Sequence, residues 1–289
     1  MEELLAELAS RSSAFNEYAS LRLQYHGAPH VVLPLVVVLF LCLLSYLVGR
    51  RNYFSRELFG SMVMIVSQVT AGKWVGGEMW LQTWLWHAFG VIWSDLLMGG
   101  PHVNPAVSLC MWALGKISMT GFLGRSCAQV LGCVVAFPLC QEVSMAFSLR
   151  PLQGPALDPA VSFPLAVQHE ALATFFLLVS ILLFNFELPV RRVYFAKQGL
   201  MALVIRILIE LCGAAGPAMN PALAFGWATY DAFENQGVYA LPGCVEHYLC
   251  YWAAPFTSAL LAAALYAVHS GTPFFGNRLW SKSDTTLLG

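Results

Sequence analysis

The sequence predicts an all-α membrane protein built as an inverted repeat, and three observations carry that prediction. Hydrophobic residues make up 58 % of the 289 residues and charged ones 11 %, against roughly 25 % charged in a soluble domain. Apolar runs recur that approach or reach the length a helix needs to cross a bilayer, roughly 20 residues. A tripeptide occurs twice, as Asn104-Pro105-Ala106 and Asn220-Pro221-Ala222, 116 residues apart. The net charge of −1 makes no basic field and excludes a nucleic-acid partner. The partner is the lipid bilayer.

The first apolar run, 31–49, reads as an extra N-terminal transmembrane segment behind a tail, 1–30. A cleaved signal would need a basic leader, whereas this one holds Glu2, Glu3, Glu7 and Glu17, with Arg50 and Arg51 after the run. Pro34 near its start is tolerated in a membrane helix. Further spans are expected at 57–75, 80–98, 122–147, 168–188, 195–213 and 247–269. Between them, 105–114 and 221–231 are too short to span. Each follows a glycine-containing turn and opens on Asn-Pro, where the Asn side chain caps orphan amides and the Pro fills a position that needs no N–H. Both read as half-helices entering from a loop.

The two halves are copies. Glu57 leads one span and Glu170 another, followed four residues later by Ser61 and Thr174, and the acids precede their tripeptides by 47 and 50 residues. Each copy holds three spans and one half-helix. Because three is odd, the second copy is inverted relative to the first, with a pseudo-twofold axis in the membrane plane. The expected organisation is a first repeat at 55–150, a connecting loop at 151–167, a second repeat at 168–270 and a tail at 271–289. The half-helices then enter from opposite faces and meet near the midplane. There each N-terminus contributes about half an elementary positive charge, and a path lined so repels cations.

Basic residues set the orientation. Arg50, Arg51 and Arg56, then Lys116 and Arg125, then Arg191, Arg192 and Lys197, then Arg278 and Lys282 fall on one side if the half-helix loops re-enter, leaving Lys73 and Arg150 opposite. The richer side is expected to be cytoplasmic, with the N-terminal tail outside. The eight cysteines lie mostly within apolar runs, with no C-x-x-C pair and no metal-type spacing. They read as packing residues, and no cofactor or metal is called for.

The two boxes, the phrase Gly216-Pro217-Ala218-Met219-Asn220-Pro221-Ala222, the stretch 169–179, Ala128-Gln129-Val130-Leu131-Gly132 and Tyr251-Trp252-Ala253-Ala254-Pro255 together resemble the aquaporin (major intrinsic protein) family over about 55–270. That resemblance implies six spans plus two half-helices, a pore in each protomer and a homotetramer. It also implies that Asn104 and Asn220 orient the passing molecule while Pro105, Ala106, Pro221 and Ala222 hold the half-helices together. Glu57 and Glu170 would brace the re-entrant loops. For Glu57 a second reading is open, a carboxylate in headgroup water, because Arg56 adjoins it.

The family's narrowest point usually includes an Arg directly after the second box, and this chain has Leu223 there. Counting from the boxes, the constriction is expected at Trp84, Leu208, Pro217 and Leu223, an apolar ring with one indole donor. Such a ring predicts either passage of larger neutral solutes such as glycerol or a poor water conductor gated by dewetting. The Leu also resembles the unorthodox, or super-aquaporin, branch, whose members often reside in intracellular membranes, although its commonly altered first box is intact here. Plasma and intracellular membranes both stay open.

Three more residues are vestibule candidates. His102, two before Asn104, either tunes flux with pH or satisfies loop carbonyls. Asp95 and Glu210, nine and ten residues before their asparagines, could line the pore mouths, although Glu210 could instead pair with Arg206 four residues away. The function expected is a channel for passive, ion- and proton-excluding diffusion of water and small neutral solutes, glycerol and hydrogen peroxide among them. A non-conducting membrane protein of the same fold is the alternative. An ion-coupled transporter would need a coupling site among Asp95, Arg206 and Glu210. An enzyme is not expected, since no Ser/His/Asp set stands in frame and Asp158-Pro159-Ala160 is only a loop mimic of the box.

Overall fold

The computed structural model describes residues 36–41, 43–44, 47, 52–75, 79–147, 149–150, 152–236, 240–242 and 244–279. The tail 1–30, residues 280–289 and much of the 31–49 run lie outside them. Within that run, 36–41 are helical, and Val38 and Leu41 are buried in the main core.

Among the described residues eight α-helices follow: α1 (Tyr53–Thr70), α2 (Trp80–Met98), α3 (Pro105–Ala113), α4 (Met119–Ala146), α5 (Phe163–Leu182), α6 (Tyr194–Leu211), α7 (Pro221–Gln236) and α8 (Val245–Ser270). A π-helical turn, Leu183–Glu187, extends α5, and another, Leu249–Ala253, lies inside α8. Caps move several boundaries away from the apolar runs. Asn52 accepts the amide of Phe54 at 2.9 Å and starts α1 earlier than 57. Ser118 accepts that of Gly121 at 3.0 Å and starts α4 earlier than 122. After Thr70 the chain turns back on itself, with the amide of Gly72 bonded to the Val75 carbonyl at 2.7 Å. That turn ends α1 short of the expected 75. By contrast α7 runs five residues past the expected 231, through Glu234 to Gln236.

Among the described residues three helices, Met119–Ala146, Phe163–Glu187 and Val245–Ser270, are long and apolar enough to cross a membrane by length and composition. The shorter α1, α2 and α6 carry polar side chains, Glu57, His87 and Gln198 among them, that are buried inside the protein. Mean hydropathy alone therefore understates these helices.

The packing is twofold. α1 lies on α4 and on α2; in the other half α5 lies on α8 and on α6. Half-helix α7 packs against α4, half-helix α3 against α8, and α2 meets α6 across the pseudo-axis. Close approach makes this possible. A Cβ built on Gly132 of α4 would come within 2.4 Å of the Leu58 carbonyl of α1, and one on Gly226 of α7 within 2.8 Å of Cys133 on α4. Without a hydrophobic drive between helices in lipid, such small-residue contacts are what association rests on. The outer surfaces keep large apolar groups exposed, Leu123, Leu131 and Val135 on α4 and Leu261, Leu265 and Val268 on α8, as acyl chains require.

Two groups of basic residues separate. Lys116 and Lys197 line one cavity with Asn185 and Phe186, whereas Lys73 reaches Gln153 at 2.6 Å beside Trp74, whose indole donates to the Arg150 carbonyl at 2.8 Å. The seven described cysteines are free thiols, including Cys244 and Cys250.

Candidate pore site

Half-helices α3 and α7 meet at their N-termini. Asn104 caps α3 by accepting the amide of Ala106 at 2.8 Å, and Asn220 caps α7 by accepting that of Ala222 at 3.1 Å. Their amide groups then cross over. Nδ2 of Asn104 donates to the Met219 carbonyl at 2.6 Å, and Nδ2 of Asn220 to the Val103 carbonyl at 2.8 Å. Each carboxamide has a second N–H to offer, and both asparagines are buried, as are Pro105, Ala106, Pro221 and Ala222.

The residue before each Asn is held in a left-handed conformation, Val103 at φ 49° and Met219 at φ 50°. For a β-branched residue such as Val103 this is a strained backbone, of order 1–3 kcal/mol. Two carboxylates hold the loops there. Glu57 accepts the amides of His102 at 3.0 Å and Val103 at 2.9 Å, and Glu170 accepts those of Ala218 at 3.0 Å and Met219 at 2.7 Å. Both acids are fully buried, so Glu57 is not in headgroup water. Arg56, its neighbour, is not its partner in the ion pair. That partner is Arg125 of α4, with Gln129 one turn further donating to Glu57 at 2.8 Å and to Ser108 of α3 at 3.0 Å. Arg125 and Gln129 are four apart on one helix face. Sequence reasoning used Arg125 only for orientation and missed this pair, although the spacing and the Ala-Gln phrase pointed there. Among the described residues Glu170 has no such ion pair.

A cavity of about 520 Å³ is lined by Lys116 and Lys197 and by Asn104, Asn220 and Met219. His102 and Asp95 line it. The His102 ring nitrogen Nδ1 is 3.0 Å from the Ser108 hydroxyl, and Asp95 accepts the Tyr194 hydroxyl at 2.7 Å. Glu210 lies elsewhere, bonded to Arg206 at 2.8 Å with its side chain 58 % exposed.

None of the four residues expected at the constriction lines this cavity. Leu223 is buried in the core between α1, α4 and α7, and Leu208 is buried against Met201, Leu177 and Met219. Pro217 sits half-buried in the loop before Asn220. The indole of Trp84 is half-buried under the Arg206 guanidinium, 5.7 Å from the ring centroid. Asp158 accepts the amide of Ala160 at 2.8 Å, the same i to i+2 bond as in the boxes, but no helix starts there and α5 begins at Phe163 behind Ser162.

Six longer helices, three of them long and apolar enough to cross a membrane, and two half-helices joined tip to tip by their capping residues define a membrane protein of the all-α, inverted-repeat kind. The sequence pattern of the major intrinsic protein family matches residues 46–266, and the chain belongs to that family, which conducts water and small solutes. It is 30 % identical over 182 residues to aquaporin SIP1-2 of Zea mays, across 61 % of this chain and 69 % of that one. It is 26 % identical over 198 residues to aquaporin AqpM of Methanothermobacter marburgensis, across 65 % and 76 %. The structure of the aquaglyceroporin from Plasmodium falciparum shares the fold, with a TM-score of 0.61 at 19 % identity over 75 % of this chain and 96 % of that one.

Proposed function

We propose that the chain is a passive channel that admits water and small neutral solutes, with glycerol and hydrogen peroxide as the test cases, and excludes ions and protons. Each protomer holds its own pore, and four protomers assemble in the membrane. The observation that carries this reading is the crossed pair of capping asparagines lining the cavity, where each carboxamide has an N–H left for a passing molecule. A neutral solute exchanges its hydrogen bonds with water for these. An ion entering the same place meets two positive helix ends and finds nothing to replace its hydration shell.

In this reading the repeats at 55–150 and 168–270 each supply one asparagine, and Glu57 and Glu170 hold the loops that present them. His102 and Asp95 belong to the vestibule on the side rich in basic residues, which is the cytoplasmic side. Trp84, Leu208, Pro217 and Leu223 form the constriction toward the other mouth. Glu210 is assigned to a surface ion pair, because its exposed carboxylate is engaged by Arg206. The apolar character of the ring favours a pore that takes glycerol beside water.

Stopped-flow light scattering on proteoliposomes tests this with water, glycerol and hydrogen peroxide, alongside potassium and proton leak. Flux of a neutral solute well above that of empty vesicles, with no ion leak, is expected. Equality with empty vesicles would leave a non-conducting membrane protein of the same fold. A dependence of flux on a sodium or proton gradient would make it a coupled transporter.

A further inference from the structure

The face of α2 that lines the cavity, Asp95, Ser94 and Val91, continues along the helix beyond the last of these residues. At helical spacing the same stripe runs on through His87, one turn from Val91 and two from Ser94, and then Trp84. With a rise of 1.5 Å per residue, His87 stands about 6 Å beyond Val91 along the helix. Along the helix it falls between Val91, which lines the cavity with the two asparagines, and Trp84, the residue assigned to the constriction.

His87 is 1 % exposed, yet neither Nδ1 nor Nε2 has a hydrogen-bond partner among the described residues. Buried polar groups are nearly always paired, so two orphan nitrogens on one ring are an exception with a location. One turn away on the same face, the hydroxyl of Thr83 is also buried without a partner among the described residues. The neighbouring side chains bond elsewhere, and the buried Nε of Arg206 is itself without a partner among the described residues. The indole of Trp86 donates to the Thr70 hydroxyl at 2.8 Å, and Arg206 is held over Trp84 and against Glu210. A residue placed only to pack here would carry no nitrogen.

We infer that His87 is a solute-contacting residue of the conduction path and that, with Thr83, it selects molecules that both donate and accept hydrogen bonds, namely water and small hydroxyl compounds. A neutral imidazole presents one donor and one acceptor, and a hydroxyl presents both. A molecule carrying the two functions satisfies the site; one that only accepts leaves half of it bare. The inference rests on the channel reading above. It adds to an otherwise apolar ring a polar step that neither box supplies.

The test compares wild type, His87→Leu, His87→Gln and Thr83→Val in proteoliposomes, with water and glycerol fluxes measured on the same preparations. His87→Leu is expected to lower both fluxes about tenfold, the cost of a lost hydrogen bond near the top of its usual range, while His87→Gln keeps most of them. Thr83→Val, which keeps the shape, is expected to shift the water-to-glycerol ratio, a quantity that general loss of folded protein would not move. Should His87→Leu fail to insert, the His87→Gln and Thr83→Val ratios carry the decision. Ratios and rates equal to wild type, in a wild type that conducts, would overturn the inference and leave the channel standing. A wild type no faster than empty vesicles would overturn both.

Discussion

Asn104 and Asn220 hold each other's loops: Asn104 donates to the carbonyl of the residue that precedes Asn220, and Asn220 donates to the carbonyl of the residue that precedes Asn104. The bond pair makes the meeting point of the two half-helices a single unit. Each asparagine caps its own helix with its oxygen and clasps the other loop with its nitrogen.

Removing either carboxamide therefore removes two interactions at once. Asn220→Ala loses a cap worth about 1 kcal/mol and leaves the Val103 carbonyl short of a donor in a place where Val103 already sits at positive φ. A destabilisation of about 2–3 kcal/mol is expected, from the cap and the unmet carbonyl together. Asn104→Ala should cost about the same by the symmetry of the bonds. Thermal unfolding in detergent measures both, and a difference of more than about 1 kcal/mol between them would deny that symmetry.

Glu57 and Glu170 do the same work with unequal support. Each accepts two loop amides, but Glu57 is also paired with Arg125 and bonded by Gln129. Replacing Glu170 by Gln turns one acceptor into a donor facing a loop amide and is expected to cost about 1–3 kcal/mol. Replacing Glu57 by Gln does that and also strands the largely buried Arg125, for about 3 kcal/mol or more. Glu57→Gln should thus be the more damaging change by thermal unfolding and by yield of folded protein. The reverse order would mean that Arg125 contributes little.

These contrasts mark what was legible in the chain. The boxes, the paired acids and the eight elements were readable because a duplicated pattern states each one twice. Glu57 and Glu170 stand out as carboxylates in apolar runs at matching intervals from Asn-Pro-Ala. Arg125 and Gln129 have no counterpart in the other half, so repetition gave no hint of them. The buried state of Glu57 was ambiguous for a similar reason, since Arg56 is its neighbour in sequence while its true partner is on α4. His87 gave no signal either, because an unpartnered side chain is a fact of packing. Counting from the boxes fixes a register along the chain, whereas the apolar neighbours of Leu208 and Leu223 are again a matter of packing.

Glycine content separates structural need from tolerance. A Cβ on Gly132 would press on the Leu58 carbonyl at 2.4 Å, a backbone atom that side-chain motion does not relieve. Gly132→Ala is expected to force α1 and α4 apart and to cost about 1–3 kcal/mol or more. Gly199, in the interior of α6, has nothing within 4 Å of the same position. Gly199→Ala should stabilise by about 0.5–1 kcal/mol through the backbone entropy of the unfolded chain. Opposite shifts in thermal unfolding are the expected result.

Arg206 offers a last prediction, because Leu223 leaves the second box without a cation. The Arg206 side chain is 16 % exposed while that of its partner Glu210 is 58 % exposed, so solvent screens the acid far more than the base and a positive field remains inside. The pair itself is worth little, about 1 kcal/mol at most for an exposed ion pair, and the stacking on Trp84 adds about 0.5–2 kcal/mol. Arg206→Leu should therefore fold. What it loses is the positive charge next to Trp84, and with it part of the barrier to cations at that mouth. Potassium leak from proteoliposomes is expected to rise above wild type in Arg206→Leu and to stay low in Arg206→Lys, which keeps the charge and gives up the planar stack. Equal tightness in all three would place cation rejection wholly at the two helix ends that Asn104 and Asn220 cap.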